Sequence, residues 1–281
     1  ITRDHSRGQA YVNRVLREAA QVAALFAPGR EVVQLHFGGG TPNFLSPAQL
    51  RELVDGLRGL FCFSQREGGA EISIELDPRA IRPEQVAQLG VIGFNRASLG
   101  VQDFNAGVQE AINRIQSAEQ TMDIVHACRR HGLGSVNIDL IYGLPRQTVA
   151  GFAQTIDLVL AQRPERLAIY GYAHLPHLFR AQKQINQADL PGAEDKLALL
   201  GCAVEKLTAA GYQYIGLDHF ALPDDALAQA QRKGQLHRNF MGYTTHADTD
   251  LIGLGVSAIS QIDNSYSQNP RELAHWEARV D

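Results

Sequence analysis

Cysteine is scarce in this chain. Cys62, Cys128 and Cys202 are the only three in 281 residues, and they stand far apart. An odd, sparse set makes no secreted disulfide framework, and without a Cys-x-x-Cys pair there is no local zinc or iron–sulfur site. Free thiols of this kind behave as small apolar residues, and the expected compartment is the cytoplasm. No apolar run approaches the ~20 residues that span a bilayer, and no charged start followed by an apolar stretch marks a signal peptide. The net charge is only −4, from 26 Lys plus Arg and 30 Asp plus Glu. Neither nucleic acid nor a membrane surface is therefore an expected partner, since both favour a basic face. A phosphate loop is missing too: Gly38-Gly39-Gly40-Thr41-Pro42 has neither the Gly-Lys-Ser/Thr ending nor the G-x-G-x-x-G spacing.

What is present is an ordinary globular composition, 44% hydrophobic and 20% charged. A domain of this length buries roughly three quarters of its unfolded surface and needs no staples. Helical periodicity over 9–26 is followed by a strand at 31–37. Ser46-Pro47 then starts a helix with an N-cap and a proline in its first turn. Strands at 71–78, 94–102, 135–143, 166–174 and 212–220 alternate with helices at 83–89, 117–131, 149–160 and 193–210. Ser117 and Gln120 predict a capping box. This rhythm reads as a right-handed α/β crossover series with a parallel sheet. No repeat or linker divides it, so one domain over 1–281 is expected.

The strands themselves are unusual. Buried parallel strands tend to be unbroken apolar runs, but these alternate. Gln34 and His36 share a face, as do Glu71, Ser73 and Glu75; Arg96, Ser98, Gly100 and Gln102; and Asn137 and Asp139. The opposite faces carry Leu35 and Phe37, Ile72 and Ile74, Leu99 and Val101, Ile138 and Leu140. One face suits helices, and the other suits the wet lumen of an open or complete barrel; an exposed sheet face is the bland alternative. Sites in such barrels lie at the C-terminal ends of strands. That directs attention to Gly38 to Thr41, Glu75, Gln102, Asp139 and Ala173-His174.

Each of these has two readings. The glycine triplet is a flexible turn or a place where a ligand approaches the backbone. Glu75 pairs with a ligand amine or with a protein cation such as Arg114. Asp139 holds a ribose hydroxyl or a metal, or caps a loop, and Arg114 taken alone reads as a surface residue. His174-x-x-His177 is interrupted by Pro176 and reads as two structural histidines. His36 and Asp218-His219 are suggestive only by their strand-end positions.

Larger blocks add a resemblance. Leu35-His-Phe-Gly-Gly-Gly-Thr-Pro42 resembles the glycine motif of radical S-adenosylmethionine (radical SAM) enzymes. Glu71-Ile-Ser-Ile-Glu-Leu-Asp-Pro78, Gly93-Phe-Asn-Arg96, Gly100-Val-Gln-Asp-Phe104 and Asn137-Ile-Asp-Leu-Ile-Tyr-Gly-Leu-Pro145 are similar to the oxygen-independent coproporphyrinogen III oxidases of that superfamily. So are Tyr172-Ala-His-Leu-Pro176, Asp218-His-Phe220, Leu236-His-Arg-Asn-Phe-Met-Gly-Tyr-Thr-Thr245 and Gly253-Leu-Gly-Val-Ser-Ala-Ile-Ser260. The resemblance runs in order along essentially the whole chain.

It implies an α/β fold, a partial (β/α) TIM-like barrel of the radical SAM type, holding S-adenosylmethionine and a [4Fe–4S] cluster. By similarity, Gly39, Glu75 and Ile259 lie about one S-adenosylmethionine, and Gly40, Thr41, Gln102, Arg114, Asp139 and Ala173 about a second. The implied reaction turns two propionates of coproporphyrinogen III into vinyl groups through a 5′-deoxyadenosyl radical, giving protoporphyrinogen IX for haem. The electron donor would be a flavodoxin-type reductant. The family's Cys-x-x-x-Cys-x-x-Cys cluster motif is absent from this sequence; its place is just before the segment that Ile1-Thr2-Arg3 resembles. Residue 1 is Ile, and 271–281 reads as a helix stopped without a cap. The expectation is a fragment, cut before the motif and before the C-terminal domain, with no metal ligands of its own and inactive alone. The rivals are a haem chaperone on the same scaffold and a metal-dependent barrel hydrolase or aldolase using His36, Glu75, Asp139 and His219.

Overall fold

Strand and helix alternate from the start in the computed structural model, which describes residues 4–66 and 68–281. Ile1-Thr2-Arg3, where the family's cysteine motif was expected to adjoin, lie outside the described residues. In chain order the elements are α1 (Gly8–Ala23), β1 (Glu31–Val32), β2 (Gln34–Phe37), α2 (Pro47–Leu60), β3 (Cys62–Phe63), β4 (Glu71–Leu76), α3 (Pro83–Ile92) and β5 (Arg96–Gln102). There follow α4 (Ala106–Ala111), α5 (Ala118–Arg130), β6 (Ser135–Tyr142), α6 (Val149–Leu160), β7 (Arg166–Gly171) and α7 (Ala193–Ala209). The last third holds β8 (Gln213–Gly216), β9 (His219–Ala221), α8 (Ala226–Arg232), β10 (His237–Asn239), β11 (Gly242–Thr244), β12 (Ile259–Ile262), β13 (Ser265–Gln268) and α9 (Leu273–Val280).

The main sheet has seven strands in the order β2-β4-β5-β6-β7-β9-β8. Its first five are parallel neighbours, as the crossover rhythm predicts. The strand expected at 212–220 is a correction: it is the hairpin β8–β9, whose second strand, β9, pairs antiparallel with β7. The chain reverses at Leu217, whose φ is +50°. A second departure is at 31–37, which splits at Val33 so that β1 pairs with β3 in a small parallel sheet of its own. The Ser117–Gln120 capping box is only half made. Ser117 accepts from the Gln120 backbone N–H at 3.1 Å, but the Gln120 amide donates to the Pro78 carbonyl at 3.2 Å. At α2 the box is complete, with Ser46 and Gln49 bonded reciprocally.

Strand alternation is realised residue by residue. In β4 and β5 the apolar positions are buried and every polar one is intermediate. Ile74, Leu99, Val136, Ile138 and Leu140 all point into the layer of α3, α5, α6 and α7 and are at most 1% exposed. A second apolar cluster joins α1, α2 and α9 around Trp276. Fully burying each Leu, Ile or Val contributes ~1.5–3 kcal/mol, so the helix-facing rows stabilise a sheet whose other face is free to be polar.

Asp103 ties the end of β5 into this frame. It is fully buried and accepts from Thr155 Oγ1 at 2.6 Å, Gln147 Nε2 at 2.6 Å and the Asn105 N–H at 2.7 Å. Asp103→Ala strands those donors away from water and should destabilise the chain by ~2–4 kcal/mol in urea unfolding; a loss under ~1 kcal/mol would show that the network does not hold the strand end.

Candidate functional site

The polar faces of the parallel strands meet in one lumen. Rows run across the sheet through Glu75, Ser98, Asn137 and Arg166, and through Gly100, Asp139, Ala168 and His219. The exposed-sheet alternative is thereby set aside: β10 and β11 lie over this face, with Thr244 Oγ1 donating to Gln34 at 3.3 Å.

The loop after β2 shapes the top of the lumen. Gly39 has φ +80°, a conformation that disfavours any side chain. A Cβ on Gly38 would collide with His36 and Glu75, whereas one on Gly39 or Gly40 would meet nothing within 4 Å. The loop therefore presses its backbone against Glu75 on one side and leaves open space on the other. The Gly39 N–H donates to Glu75 Oε2 at 3.2 Å, and His36 Nε2 stands 3.5 Å from Oε1. Thr41 is exposed and begins the short turn 42–44.

Glu75 does not pair with Arg114. The guanidinium instead lies 3.4 Å from Asp77 and donates to the Gly100 carbonyl at 2.8 Å. It is no surface residue: burial pulls its pKa down, and Nε is buried with no partner among the described residues. Gln102, at φ +70°, turns its amide toward the same place; a Cβ on Gly100 would stand 2.8 Å from Gln102 Nε2 and 3.3 Å from Arg114. Burial raises the Asp77 carboxyl, but Arg79 and Arg114 outweigh it and hold the group below the usual range.

Asp139 lies deeper. Its carboxylate accepts from Ser98 Oγ at 2.9 Å and from Asn137 Nδ2 at 2.7 Å. Burial pushes its pKa up to about 6, against those two hydrogen bonds and with help from the charges of Glu75 and Asp218. The Asn137 Oδ1 is buried and has no partner among the described residues. Ala173 follows β7, exposed, with its carbonyl accepting from Gln182 at 3.1 Å. Ile259 is set apart, on the antiparallel pair β12–β13. Among the described residues no side-chain hydrogen bond joins that pair to the lumen.

The expected residues thus fall into three groups. Gly39, Gly40, Thr41 and Glu75 share one loop and strand end; Gln102, Arg114 and Asp139 surround Gly100; Ala173 and Ile259 stand outside these contacts. Ser98, Asn137 and Asp77, which orient the others, carried one signal in the sequence: polar side chains on the same strand face or at a strand end. Such a wall offers acceptors for an ammonium or ribose and a guanidinium for a carboxylate. The cysteines offer nothing comparable, with Cys62 exposed on β3, Cys128 buried in α5 and Cys202 in α7. Among the described residues no group of His, Cys, Asp or Glu side chains is arranged to hold a metal ion. The hydrolase quartet His36, Glu75, Asp139 and His219 is spread across the sheet.

Comparison with known proteins decides the family. The profile of the radical SAM superfamily matches residues 2–159. The chain belongs to the radical SAM superfamily. As a radical SAM chain it is 51% identical over all 281 residues to the oxygen-independent coproporphyrinogen III oxidase of Pseudomonas aeruginosa, and 50% identical to that of Escherichia coli. It spans 61% of the length of each. The solved structure of the Escherichia coli coproporphyrinogen III oxidase HemN, described as a radical SAM enzyme, superposes with a TM-score of 0.96 at 50% identity, covering 99% of this chain and 63% of that one. The family's general reagents are S-adenosylmethionine and a [4Fe–4S] cluster. The orphaned Asn137 Oδ1, the free Arg114 Nε and the open side of the glycine loop fit the first. No residue set described above fits the second.

The Asp139 carboxyl makes a pH prediction. Its folded pKa, about 6, lies above the ordinary 3.8, so the folded chain binds more protons than the unfolded one between about pH 4 and 6. Stability should fall as pH rises through that window, by up to about 3 kcal/mol, and level off above it. Asp139→Asn should flatten this slope in melting curves taken from pH 4 to 7; an unchanged slope would assign it to other groups.

Proposed function

We propose that this chain is the barrel of an oxygen-independent coproporphyrinogen III oxidase, binding S-adenosylmethionine in the lumen. The observation that carries the reading is identity of one residue in two with such oxidases along the full chain. The lumen chemistry supports it independently. S-adenosylmethionine, when bound, supplies the reagent that removes a hydrogen atom from a propionate side chain of coproporphyrinogen III before decarboxylation to vinyl. The chain's own task is to bind and orient. Glu75, held against the Gly39 N–H, accepts from an ammonium. Arg114 presents a guanidinium to a carboxylate, and Asp139 and Asn137 Oδ1 accept from hydroxyls or amines. Gly40, Thr41, Gln102 and Ala173 line a second S-adenosylmethionine in this reading, and Ile259 backs the adenine of the first. No acid–base side chain is required.

Glu75→Gln and Asp139→Asn each remove a charged acceptor. Each should weaken S-adenosylmethionine binding by ~1.5–3 kcal/mol, roughly tenfold or more, in calorimetric titration. Unchanged affinity in both would take these residues out of the site.

The function itself is tested by grafting. This chain, placed in the Escherichia coli oxidase in exchange for the segment it matches, should convert coproporphyrinogen III to protoporphyrinogen IX under anaerobic conditions. A chimera that melts cooperatively but forms no vinyl product would refute the assignment. The 281 residues alone, treated with iron and sulfide under reductant, should neither gain a stable [4Fe–4S] cluster nor release 5′-deoxyadenosine, because the cysteines lie on separate elements. Substantial 5′-deoxyadenosine would mean that the ligand account is wrong.

A further inference from the structure

The far edge of the lumen carries chemistry that S-adenosylmethionine does not use. His219 Nδ1 donates to Asp218 Oδ1 at 2.6 Å. Its ring stands edge-on between two tyrosines, 6.1 Å from Tyr170 and 5.4 Å from Tyr243 by ring centroids, at 89° and 82°. The orientation is therefore fixed, and the other nitrogen, Nε2, has no hydrogen-bond partner among the described residues. The Tyr170 hydroxyl has none either. Arg238, on β10 opposite Tyr243 of β11, is exposed and has no ion-pair partner among the described residues.

These groups act on one another. Burial raises the Tyr170 pKa, the charges of Asp139, Asp218 and Glu75 raise it further, and Arg238 opposes them. The phenol therefore stays protonated at neutral pH and offers a donor. A carboxylate met at Nε2 would bring a proton with it, so that the ring donates from both nitrogens. Arg238 supplies a planar fork that matches a carboxylate. Tyr170 and Tyr243 flank His219, and Arg238 stands opposite Tyr243 on the paired strand, so the three groups lie about one edge of the lumen.

We propose that Tyr170, His219 and Arg238 seat a propionate carboxylate of the tetrapyrrole substrate, an inference that rests on the oxidase reading above. S-adenosylmethionine is not the better occupant. The two S-adenosylmethionines of that reading are assigned to Gly39, Glu75 and Ile259 and to Gly40, Thr41, Gln102, Arg114, Asp139 and Ala173, none of which lies on β9 or β10. His219 lies two strands beyond Asp139 in the same row, about 10 Å away at the spacing of paired strands. This edge is left for a separate anion, and the substrate carries four carboxylates.

The test is fluorescence titration of the 281-residue chain with coproporphyrin III, the stable oxidised form of the substrate, and with its tetramethyl ester. Arg238→Gln and His219→Asn should each weaken binding of the free acid, by about tenfold for the guanidinium and severalfold for the imidazole. Arg238→Lys should recover part of the loss. The ester should bind the wild-type chain and the variants alike, and S-adenosylmethionine affinity should be the same in all. Equal affinity of wild type, Arg238→Gln and His219→Asn for the free acid would overturn this seat while leaving the oxidase reading intact. Failure of the wild-type chain to bind the free acid at all, with S-adenosylmethionine still bound, would overturn the seat and count against the substrate class. Arg238 is exposed, so its substitution leaves the fold in place.

Discussion

Successive residues of a β-strand face opposite ways, and every feature of the lumen depends on that constraint. Ile72, Ile74 and Leu76 cannot be pressed into the helix layer unless Glu71, Ser73 and Glu75 are turned the other way. The same holds for β5 and β6, where Leu99 and Ile138 are 0% exposed and their neighbours Ser98 and Asn137 are not buried. A one-residue slip of register would drive carboxylates into the core and isoleucines into the lumen. The apolar rows therefore fix the positions of the polar ones. The polar groups of the lumen are held to the tolerance of core packing, although none belongs to the core.

Polar groups in a partly enclosed lumen must find partners, and the partners are unevenly distributed. Toward the N-terminal ends of the strands the charges close on themselves. Arg96 reaches Glu71 at 2.7 Å, Gln34 donates to the same carboxylate at 3.0 Å, and Arg166 meets Asp225 at 2.8 Å. Elsewhere closure fails. Among the described residues Ser135 Oγ, Asn137 Oδ1 and Arg114 Nε are buried without partners, Arg114 stays a long 3.4 Å from Asp77, and burial leaves Asp139 hard to ionise. An unpaired buried polar atom costs ~1–3 kcal/mol, so a ligand that met these groups would be stabilising.

Local patterning made most of this legible before any coordinates. The five parallel strands, their polar faces and the strand-end position of Glu75, Gln102 and Asp139 follow from period-two alternation. The hairpin β8–β9 was not legible, because its reversal at Gly216-Leu217-Asp218 puts an ordinary leucine at positive φ and shows no Asn-Gly or Asp-Gly signal. Arg114 reads as a surface residue because its partners, Asp77 and Gly100, are 37 and 14 positions away. Asp103 was passed over for the same reason: its donors Thr155 and Gln147 come from α6 and the loop before it. Tyr170 and His219 are brought side by side by the antiparallel addition that the rhythm of the sequence concealed.

That addition also decides the shape of the lumen. A further parallel strand after β7 would have continued the crossover series; the hairpin instead sets His219 directly beside Ala168. The row then reads Gly100, Asp139, Ala168, His219, with a small residue next to each titratable one. The side chains of Gln102 and Arg114 come over Gly100, and the titratable groups of the row differ in character, a carboxyl on one strand and an imidazole two strands on. A cation or hydroxyl-bearing molecule is favoured at the first, an anion at the second. Neither can move to the other's place without losing its partner, because the sheet's hydrogen bonds fix the separation. The carboxyl and the imidazole are thereby held side by side at a distance set by strand spacing rather than by any mobile loop.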